Sequence, residues 1–149
     1  MTYEYDYLVV GSGIAGMSFA LKVARTGRVA LICKTDLEDA NTYFAQGGVA
    51  SVTNLEVDNF DKHIEDTMIA GDFLSDREAV EKVVKGAPEQ IKALIDWGVN
   101  FDKNENGDFD LHREGGHSEF RILHHKDNTG AEIQESLIKA VKADKNIDI

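Results

Sequence analysis

A glycine-rich turn between a predicted strand and a predicted helix is the feature that most constrains the fold of this chain. Tyr7–Val10 is short, apolar and rich in valine, a pattern typical of a fully buried strand. It runs directly into Gly11-Ser12-Gly13-Ile14-Ala15-Gly16, after which apolar residues recur at helical spacing until Gly27. Residues 29–33 form a second apolar segment, which we expect to be another buried strand. This order predicts a βαβ unit and an α/β, Rossmann-like fold.

The three glycines of the turn have different physical roles in such a unit. Gly11 permits a tight turn, Gly13 lets the backbone approach a pyrophosphate, and Gly16 lets the helix pack closely against the strand. The free N–H groups at the start of the helix, together with its positive dipole end, attract a diphosphate. The sequence therefore predicts a dinucleotide site, contributed here by Gly11, Ser12, Gly13, Ile14, Ala15 and Gly16.

The end of the second predicted strand departs from the usual dinucleotide pattern. An acidic residue commonly accepts both ribose hydroxyls at this place, whereas this chain has Lys34. Because lysine only donates hydrogen bonds, Lys34 could hold a ribose oxygen or a phosphate but could not replace a carboxylate. The alternative is a solvated lysine at a strand end.

Helices and a hairpin are predicted in the middle of the chain, after a loop over residues 39–51. Apolar residues at helical spacing mark one helix over residues 60–71 and a longer stripe over residues 80–95. Pro88 lies inside the longer stripe and lacks an N–H group, so we expect residues 86–88 to separate two helices. Asn106-Gly107, between apolar segments at 99–101 and 109–111, predicts a β-hairpin.

The last residues, 146–149, have the pattern of a strand that follows a helix. A doubly wound sheet needs further strands beyond this point. We therefore expect residues 1–149 to be the N-terminal part of a larger dinucleotide-binding domain, incomplete at its C-terminal end.

Composition excludes several classes of function. A net charge of −11 argues against nucleic acid as a partner. No apolar run is long enough for a transmembrane segment. The single cysteine, Cys33, cannot form an intrachain disulfide and is consistent with a reducing cytoplasm.

A cluster of histidines raises the question of a metal site. Four of the five histidines lie between His112 and His125, but no H-x-x-x-H helix or cysteine pair accompanies them, so we predict no metal. Residues 102–107 resemble the start of a calcium loop that lacks its final glutamate. What remains is a polar cluster around a Gly-Gly bend, which could bind a carboxylate through its arginines or could be a solvated loop. Its members are Arg113, Glu114, His117 and Arg121.

Three motifs together resemble one family. They are residues 11–16, then Ala45-Gln46-Gly47-Gly48, then Arg113-Glu114-Gly115-Gly116-His117 with Asp127-Asn128-Thr129-Gly130. In this order they resemble the flavoproteins of the succinate dehydrogenase, fumarate reductase and L-aspartate oxidase superfamily. Within it, the chain is most similar to the L-aspartate oxidases, which also have a lysine at the position of Lys34.

The resemblance implies a glutathione-reductase-like FAD-binding domain, with a capping domain and a C-terminal helical domain outside these residues. It also implies FAD as the cofactor. Members that attach the flavin covalently have a histidine where this chain has Asn41, and an amide nitrogen is no nucleophile, so we expect non-covalent FAD. Besides residues 11–16, the implied cofactor-binding residues are Lys34, Asn41, Thr42, Tyr43, Phe44, Ala45, Gln46, Gly47 and Gly48.

The activity implied by the resemblance is oxidation of L-aspartate to iminosuccinate, with reoxidation of the flavin by oxygen or fumarate. This is the first step of NAD biosynthesis, and it implies functional coupling to quinolinate synthase. Fumarate reductases have an apolar residue at the position of Glu114, whose carboxylate could pair with the substrate ammonium group. We expect the isolated 149 residues to be inactive. The alternatives are a fumarate reductase or succinate dehydrogenase flavoprotein, and a non-catalytic nucleotide-binding module that ends at Ile149.

Overall fold

The computed structural model describes residues 2–149, and the chain divides into two compact units. Unit 1 comprises Met1–Gln46, Asp96–Asn100 and Asn128–Ile149, and unit 2 comprises Gly47–Ile95 and Phe101–Asp127. The elements in chain order are β1 (Tyr7–Val10), α1 (Ile14–Val23), β2 (Val29–Ile32), β3 (Val49–Ala50), α2 (Phe60–Ala70), α3 (Arg77–Asp96), β4 (Leu111–His112), β5 (Ile122–Leu123), α4 (Thr129–Ala143) and β6 (Ile147–Asp148).

Unit 1 is a parallel sheet in the order β1-β2-β6. Val9 and Leu31 are buried on one face of this sheet, as are Met17 of α1 and Leu137 of α4. The predicted βαβ unit is confirmed, because α1 connects two parallel strands that pair from Tyr7 and Val29 onward. The predicted final strand is also confirmed, since β6 pairs with β2.

The predicted full burial of the first two strands is wrong. Leu8 is 65% exposed and Val10 is 75% exposed, while Ile32 is also exposed. Successive side chains of a strand point to opposite faces, and only the face that carries Val9 and Leu31 is buried in this chain. The apolar composition of β1 and β2 therefore overstates how much of each strand is covered.

The glycine turn has the geometry that its sequence predicts. Gly11 has φ +111°, in the region that favours glycine. A Cβ atom added to Gly16 would lie 2.0 Å from the carbonyl oxygen of Gly11, so only glycine allows α1 to approach β1 this closely. These two positions fix where the first turn of α1 begins.

Unit 2 combines an antiparallel sheet, in the order β3-β5-β4, with helices α2 and α3. The predicted loop over residues 39–51 is wrong at its end, because Val49 and Ala50 pair with β5. A hydrophobic cluster forms between α2 and α3, consisting of Ile64, Met68 and Val84 with Phe60 and Val80 packed against it.

Helix α3 is continuous, so the predicted break at residues 86–88 is wrong. Val84 is buried before Pro88, and Ile91 and Leu94 are buried after it. Proline inside a helix costs about 3 kcal/mol, whereas burial of each large aliphatic side chain contributes roughly 1.5–3 kcal/mol. The burial of these side chains therefore outweighs the cost of the proline.

None of the helices in the described residues combines the length and apolarity needed to cross a bilayer.

The predicted hairpin is confirmed as a chain reversal but not as a pair of regular strands. Lys103 and Phe109 form an isolated antiparallel bridge, and the N–H of Gly107 donates to Asn104 O at 3.0 Å. Residues 99–101 form no strand, while Leu111 pairs with Leu123 of β5 instead. The residues of the turn determine where the chain reverses, whereas the pairing of β4 is determined by its neighbour in the sheet, β5.

Exchanging a helical glycine for alanine should give opposite results at two positions. Gly16→Ala in the purified protein should lower the free energy of unfolding by about 1–3 kcal/mol, as overpacking does, because the new methyl group meets the Gly11 carbonyl. Gly86→Ala is the matched control, since a Cβ atom there has no neighbour within 4 Å, and it should add up to about 1 kcal/mol. Denaturant unfolding measures both, and equal effects would contradict the packing argument.

Candidate functional site

A cavity of about 400 Å³ lies in unit 1 between the glycine turn and the loop that follows β2. It brings together residues that are far apart in the sequence and includes six of the predicted cofactor residues. Its lining consists of Gly11, Ser12, Gly13, Cys33, Lys34, Thr35, Asp39, Ala40, Asn41 and Thr42. The glycine turn and residues Asn41 and Thr42 thus line one cavity.

The first turn of α1 presents N–H groups beside this cavity. The first intrahelical hydrogen bond runs from Met17 N to Gly13 O, so the N–H groups of Ala15 and Gly16 have no intrahelical acceptor. The N–H of Ile14 instead donates to Thr42 Oγ1 at 3.0 Å, which ties the loop to the helix. A helix start of this kind binds anionic groups such as a diphosphate.

Gln134 of α4 holds the glycine turn in place through hydrogen bonds. No sequence motif pointed to this residue. Its side chain is fully buried, and Nε2 donates to Ser12 O at 2.8 Å and to Leu37 O at 2.6 Å. It therefore links the turn to the loop after β2. A signal was available, because Gln134 is a polar residue between Ile133 and Leu137 on the apolar face of α4.

The cavity also contains a carboxylate that the sequence analysis did not assign to it. Lys34 and Asp39 both line the cavity. Asp39 Oδ2 accepts a hydrogen bond from Thr35 Oγ1 at 2.7 Å, which holds the carboxylate in place. The site thus offers an acceptor as well as the donor group of Lys34, although the acid is not at the usual strand-end position.

The remaining predicted residues of the loop divide between the two units. The ring of Phe44, 67% exposed, meets that of Tyr43 edge to face at 5.4 Å. Ala45 O accepts a hydrogen bond from Gly130 N at 3.0 Å, which fastens the loop to the start of α4. Gln46 is exposed at the end of the unit 1 segment.

Gly47 and Gly48 belong to unit 2. A Cβ atom on Gly48 would lie 2.3 Å from Ile122 Cγ2, so this glycine is required for packing on β5. Gly47 has no such neighbour. Packing therefore requires glycine at the second position of the Gly-Gly pair, Gly48, but not at the first.

Unit 2 carries the second predicted site, the segment over residues 113–118 that follows β4. Glu114 is exposed there, and its carbonyl accepts from His117 N at 3.2 Å, which closes a turn. Arg113 places its guanidinium group 5.6 Å from the centre of the Phe120 ring. The segment is thus a surface turn with an acidic side chain near its start.

Arg121 fits neither alternative given for its cluster, because it is neither solvated nor open to a carboxylate ligand. It is fully buried, and its guanidinium group donates to both carboxylate oxygens of Asp58 at 2.8 Å and to Asp66 Oδ2 at 2.5 Å. Two carboxylates already neutralise it, and buried charges are paired in this way because an unpaired one is costly. Arg121 therefore has a structural role in unit 2 and is not available to a carboxylate ligand.

Burial, Arg121 and backbone N–H groups together shift the pKa values of the groups around Arg121. Burial acts to raise the pKa of Asp58 and of Asp66, but hydrogen bonds from Arg121 and from backbone N–H groups outweigh it, and both pKa values are lowered. Burial, followed by the charge of Arg121, lowers the pKa of His63. His117 Nδ1 lies 3.2 Å from Arg121 Nη1, and because guanidinium only donates, this nitrogen accepts and the proton is on Nε2.

The side chains of Asp110, His112 and His124 come together next to strands β4 and β5, where Asp110 directly precedes β4 and His124 directly follows β5. The rings of His112 and His124 stack with centroids 3.7 Å apart and planes inclined by 22°. Two imidazoles bind one metal ion when their nitrogen lone pairs converge on it at about 2.1 Å, and nearly parallel stacked rings do not converge. This group is therefore a polar contact between strands and is not assigned as a metal centre.

Comparison with known proteins agrees with the cofactor cavity. A family described as "FAD binding domain" matches residues 6–149. The chain is 47% identical to the chloroplastic L-aspartate oxidase of Arabidopsis thaliana over 148 residues, covering 99% of this chain and 23% of that protein. It is 40% identical over 148 residues to the L-aspartate oxidase of Acinetobacter baylyi, covering 99% and 27%. The chain thus spans about a quarter of the length of these relatives.

Solved structures give the same fold. The FrdA chain of E. coli quinol fumarate reductase matches with a TM-score of 0.90 and 28% identity, covering 99% of this chain and 26% of that one. Sdh1 of Mycobacterium smegmatis matches with a TM-score of 0.88 and 30% identity, covering 98% and 27%. The match to the family spans nearly all of the sequence, and the cavity lies at the glycine turn where a diphosphate is expected. The chain therefore belongs to the FAD-binding domain family, and its cofactor is FAD.

Proposed function

We propose that the complete protein to which these residues belong is an FAD-dependent oxidase that converts L-aspartate to iminosuccinate. The observation that carries the proposal is the similarity to L-aspartate oxidases, which extends over 99% of this chain at 40–47% identity. Because the chain spans about a quarter of those relatives, the rest of the catalytic machinery would be contributed by residues outside it. These residues alone are proposed to be inactive.

The residues of unit 1 would hold the cofactor. When bound, FAD would accept the two electrons that leave the substrate as a hydride from the α-carbon. The N–H groups at the start of α1 would bind its diphosphate, and Lys34 and Asp39 would offer a donor and an acceptor to its polar groups. Asn41 lines the same cavity and cannot form a bond to the flavin, which supports non-covalent binding.

Glu114 is proposed to select the substrate. L-aspartate carries an α-ammonium group that succinate and fumarate lack, and a carboxylate can form a charge-assisted hydrogen bond with it. Glu114 is exposed on the turn after β4, so its carboxylate is accessible. The preference for aspartate would then depend on one charge.

A fumarate reductase or succinate dehydrogenase flavoprotein is the second candidate. Its support is the similarity to FrdA and Sdh1, at TM-scores of 0.90 and 0.88. Sequence identity to those chains, 28% and 30%, is lower than the 40–47% to L-aspartate oxidases. Turnover of the complete protein on L-aspartate and on succinate separates the two functions, and a protein that oxidises only succinate would overturn the first.

The cellular setting follows from the proposed reaction. We propose reoxidation of the flavin by oxygen or fumarate, a role at the first step of NAD biosynthesis, and coupling to quinolinate synthase, which would consume the unstable imine product. A cytoplasmic location is proposed from the single cysteine. Some relatives are named chloroplastic, so localisation of the tagged complete protein is the direct test.

Removing the glycine in the middle of the turn should impair FAD binding. Gly13→Val in the complete protein would place a branched side chain at the cavity where the pyrophosphate must approach, and flavin content per protein should fall several-fold. Gly86→Val is the matched control, because a Cβ atom there has no neighbour within 4 Å. Absorbance of released flavin measures both, and unchanged FAD content in the Gly13 variant would refute the diphosphate site.

All the flavin should be released by acid precipitation of the complete protein. The reason is that Asn41 has no nucleophilic nitrogen to bond the flavin. The measurement is flavin absorbance in the supernatant and fluorescence of the washed pellet. A yellow, fluorescent pellet would mean that another residue forms a covalent bond.

Removing the charge of Glu114 should change substrate preference. A hydrogen bond to a charged group contributes roughly 1.5–3 kcal/mol, so Glu114→Gln in the complete protein should lower kcat/KM for L-aspartate about ten- to a hundredfold. Fumarate reduction involves no ammonium group and should be largely unchanged. The control is Glu105→Gln, another exposed glutamate of unit 2. Equal loss of both activities would show instead that Glu114 has a structural role.

A further inference from the structure

Asp66 of α2 is the fixed point to which the turn bearing Glu114 is attached. A single oxygen, Asp66 Oδ2, accepts three hydrogen bonds. Two come from Ser118, from its N–H at 2.8 Å and from Oγ at 2.8 Å, and the third comes from Arg121 Nη1 at 2.5 Å. Ser118 ends the segment over residues 113–118, so this carboxylate determines where the segment ends.

The frame around Asp66 is rigid. Its helix is anchored in the core of unit 2 through Ile64 and Met68. Arg121 is held by its side chain to Asp58 and by its backbone to the sheet, because its carbonyl accepts from Ser51 N at 2.9 Å and its N–H donates to His112 O at 3.2 Å. Arg121 therefore cannot move without disturbing the sheet, and Asp66 cannot move without moving α2.

The turn itself has few constraints of its own. It leaves the sheet at His112, which pairs with Ile122, and its other end is fixed by His117, whose Nδ1 lies 3.2 Å from Arg121 Nη1, and by Ser118. Between these two points, Glu114 and both glycines are exposed. Since the hydrogen bond from His117 N to Glu114 O is local, the position of the turn in unit 2 is determined mainly at its two ends.

We infer that Asp66 is a positioning residue for substrate selection, which acts by fixing the turn that carries Glu114. This inference rests on the proposed function for the meaning of Glu114, but the anchoring itself does not. A loop that is already ordered loses less entropy when ligand binds, so its contacts contribute more fully to affinity. Displacement of a contacting group by about 1 Å can lower activity as much as a hundredfold.

The test is Asp66→Asn in the complete FAD-loaded protein. Asparagine has the same shape but removes the charge that three donors share. We expect kcat/KM for L-aspartate to fall about tenfold, with fumarate reduction within about twofold and FAD content unchanged. The matched control is Glu65→Gln on the same helix, whose carboxylate lies 3.8 Å from the exposed Arg77 and should have no effect.

Two further measurements separate positioning from general damage. Amide hydrogen exchange over residues 113–118, measured without substrate, should be faster in Asp66→Asn and unchanged in Glu65→Gln. In a double-mutant cycle, Asp66→Asn added to Glu114→Gln should cause no further loss on L-aspartate, because it acts through Glu114. If the Asp66 variant does not fold, Ser118→Ala is the alternative, because it removes one of the three donors. Its kcat/KM for L-aspartate should fall about threefold, and amide exchange of the turn should be faster.

The outcomes are distinct. Unchanged amide exchange and unchanged activity in both Asp66→Asn and Ser118→Ala would overturn the inference. Equal loss of activity on L-aspartate and fumarate, or loss of bound FAD, would also overturn it. A wild-type protein that does not oxidise L-aspartate would refute the proposed function. Faster exchange of the turn in that case would still establish the anchoring by Asp66, while its role in selecting L-aspartate would fail.

Discussion

The contact between Gly16 and the carbonyl oxygen of Gly11 is the constraint on which unit 1 depends. A Cβ atom at position 16 would lie 2.0 Å from that oxygen, so the start of α1 can lie against the end of β1 only because Gly16 has no side chain. This contact sets the direction of the helix. The helix in turn brings its unpaired N–H groups to the cavity that Lys34, Asn41 and Thr42 complete from the neighbouring loop.

Unit 2 depends on a different interaction, the burial of one charge. Arg121 has no exposed surface and satisfies its guanidinium group with Asp58 and Asp66. Burying ions is costly in itself, and such a cluster contributes specificity more readily than stability, because any other arrangement leaves a charge unpaired. The geometry of α2, β5 and the turn after β4 is therefore specified together.

The sequence predicted those parts of the fold that depend on local spacing. The glycine turn, the parallel strands and the chain reversal at Gly107 all follow from residue types next to one another. The failures have a common cause, since each involves a partner distant in the chain. Pro88 is tolerated because the stripe of α3 is buried, and Arg121 appeared to be a ligand-binding residue because Asp58 and Asp66 lie more than fifty residues earlier.

The candidate site was predictable to a similar extent. Residues 11–16 and Lys34 could be assigned from their position after strands, and six of the assigned residues line one cavity. Gln134 and Asp39 were not found, because their roles depend on hydrogen bonds to Ser12, Leu37 and Thr35 that no spacing rule encodes. The role proposed for Glu114 depends on a chemical difference between substrates and on resemblance to a family.

The discontinuous path of the chain through unit 1 has a consequence for folding. Strand β6 pairs with β2, although all of unit 2 lies between them in the chain. Closing a disordered loop of that length costs entropy that rises with the logarithm of its length, and pairings of such long separation are slow to form. Once unit 2 has collapsed, the loop to be closed is much shorter. The pairing of β6 with β2 therefore forms most readily once unit 2 has folded, whereas β1 and β2 can pair without it.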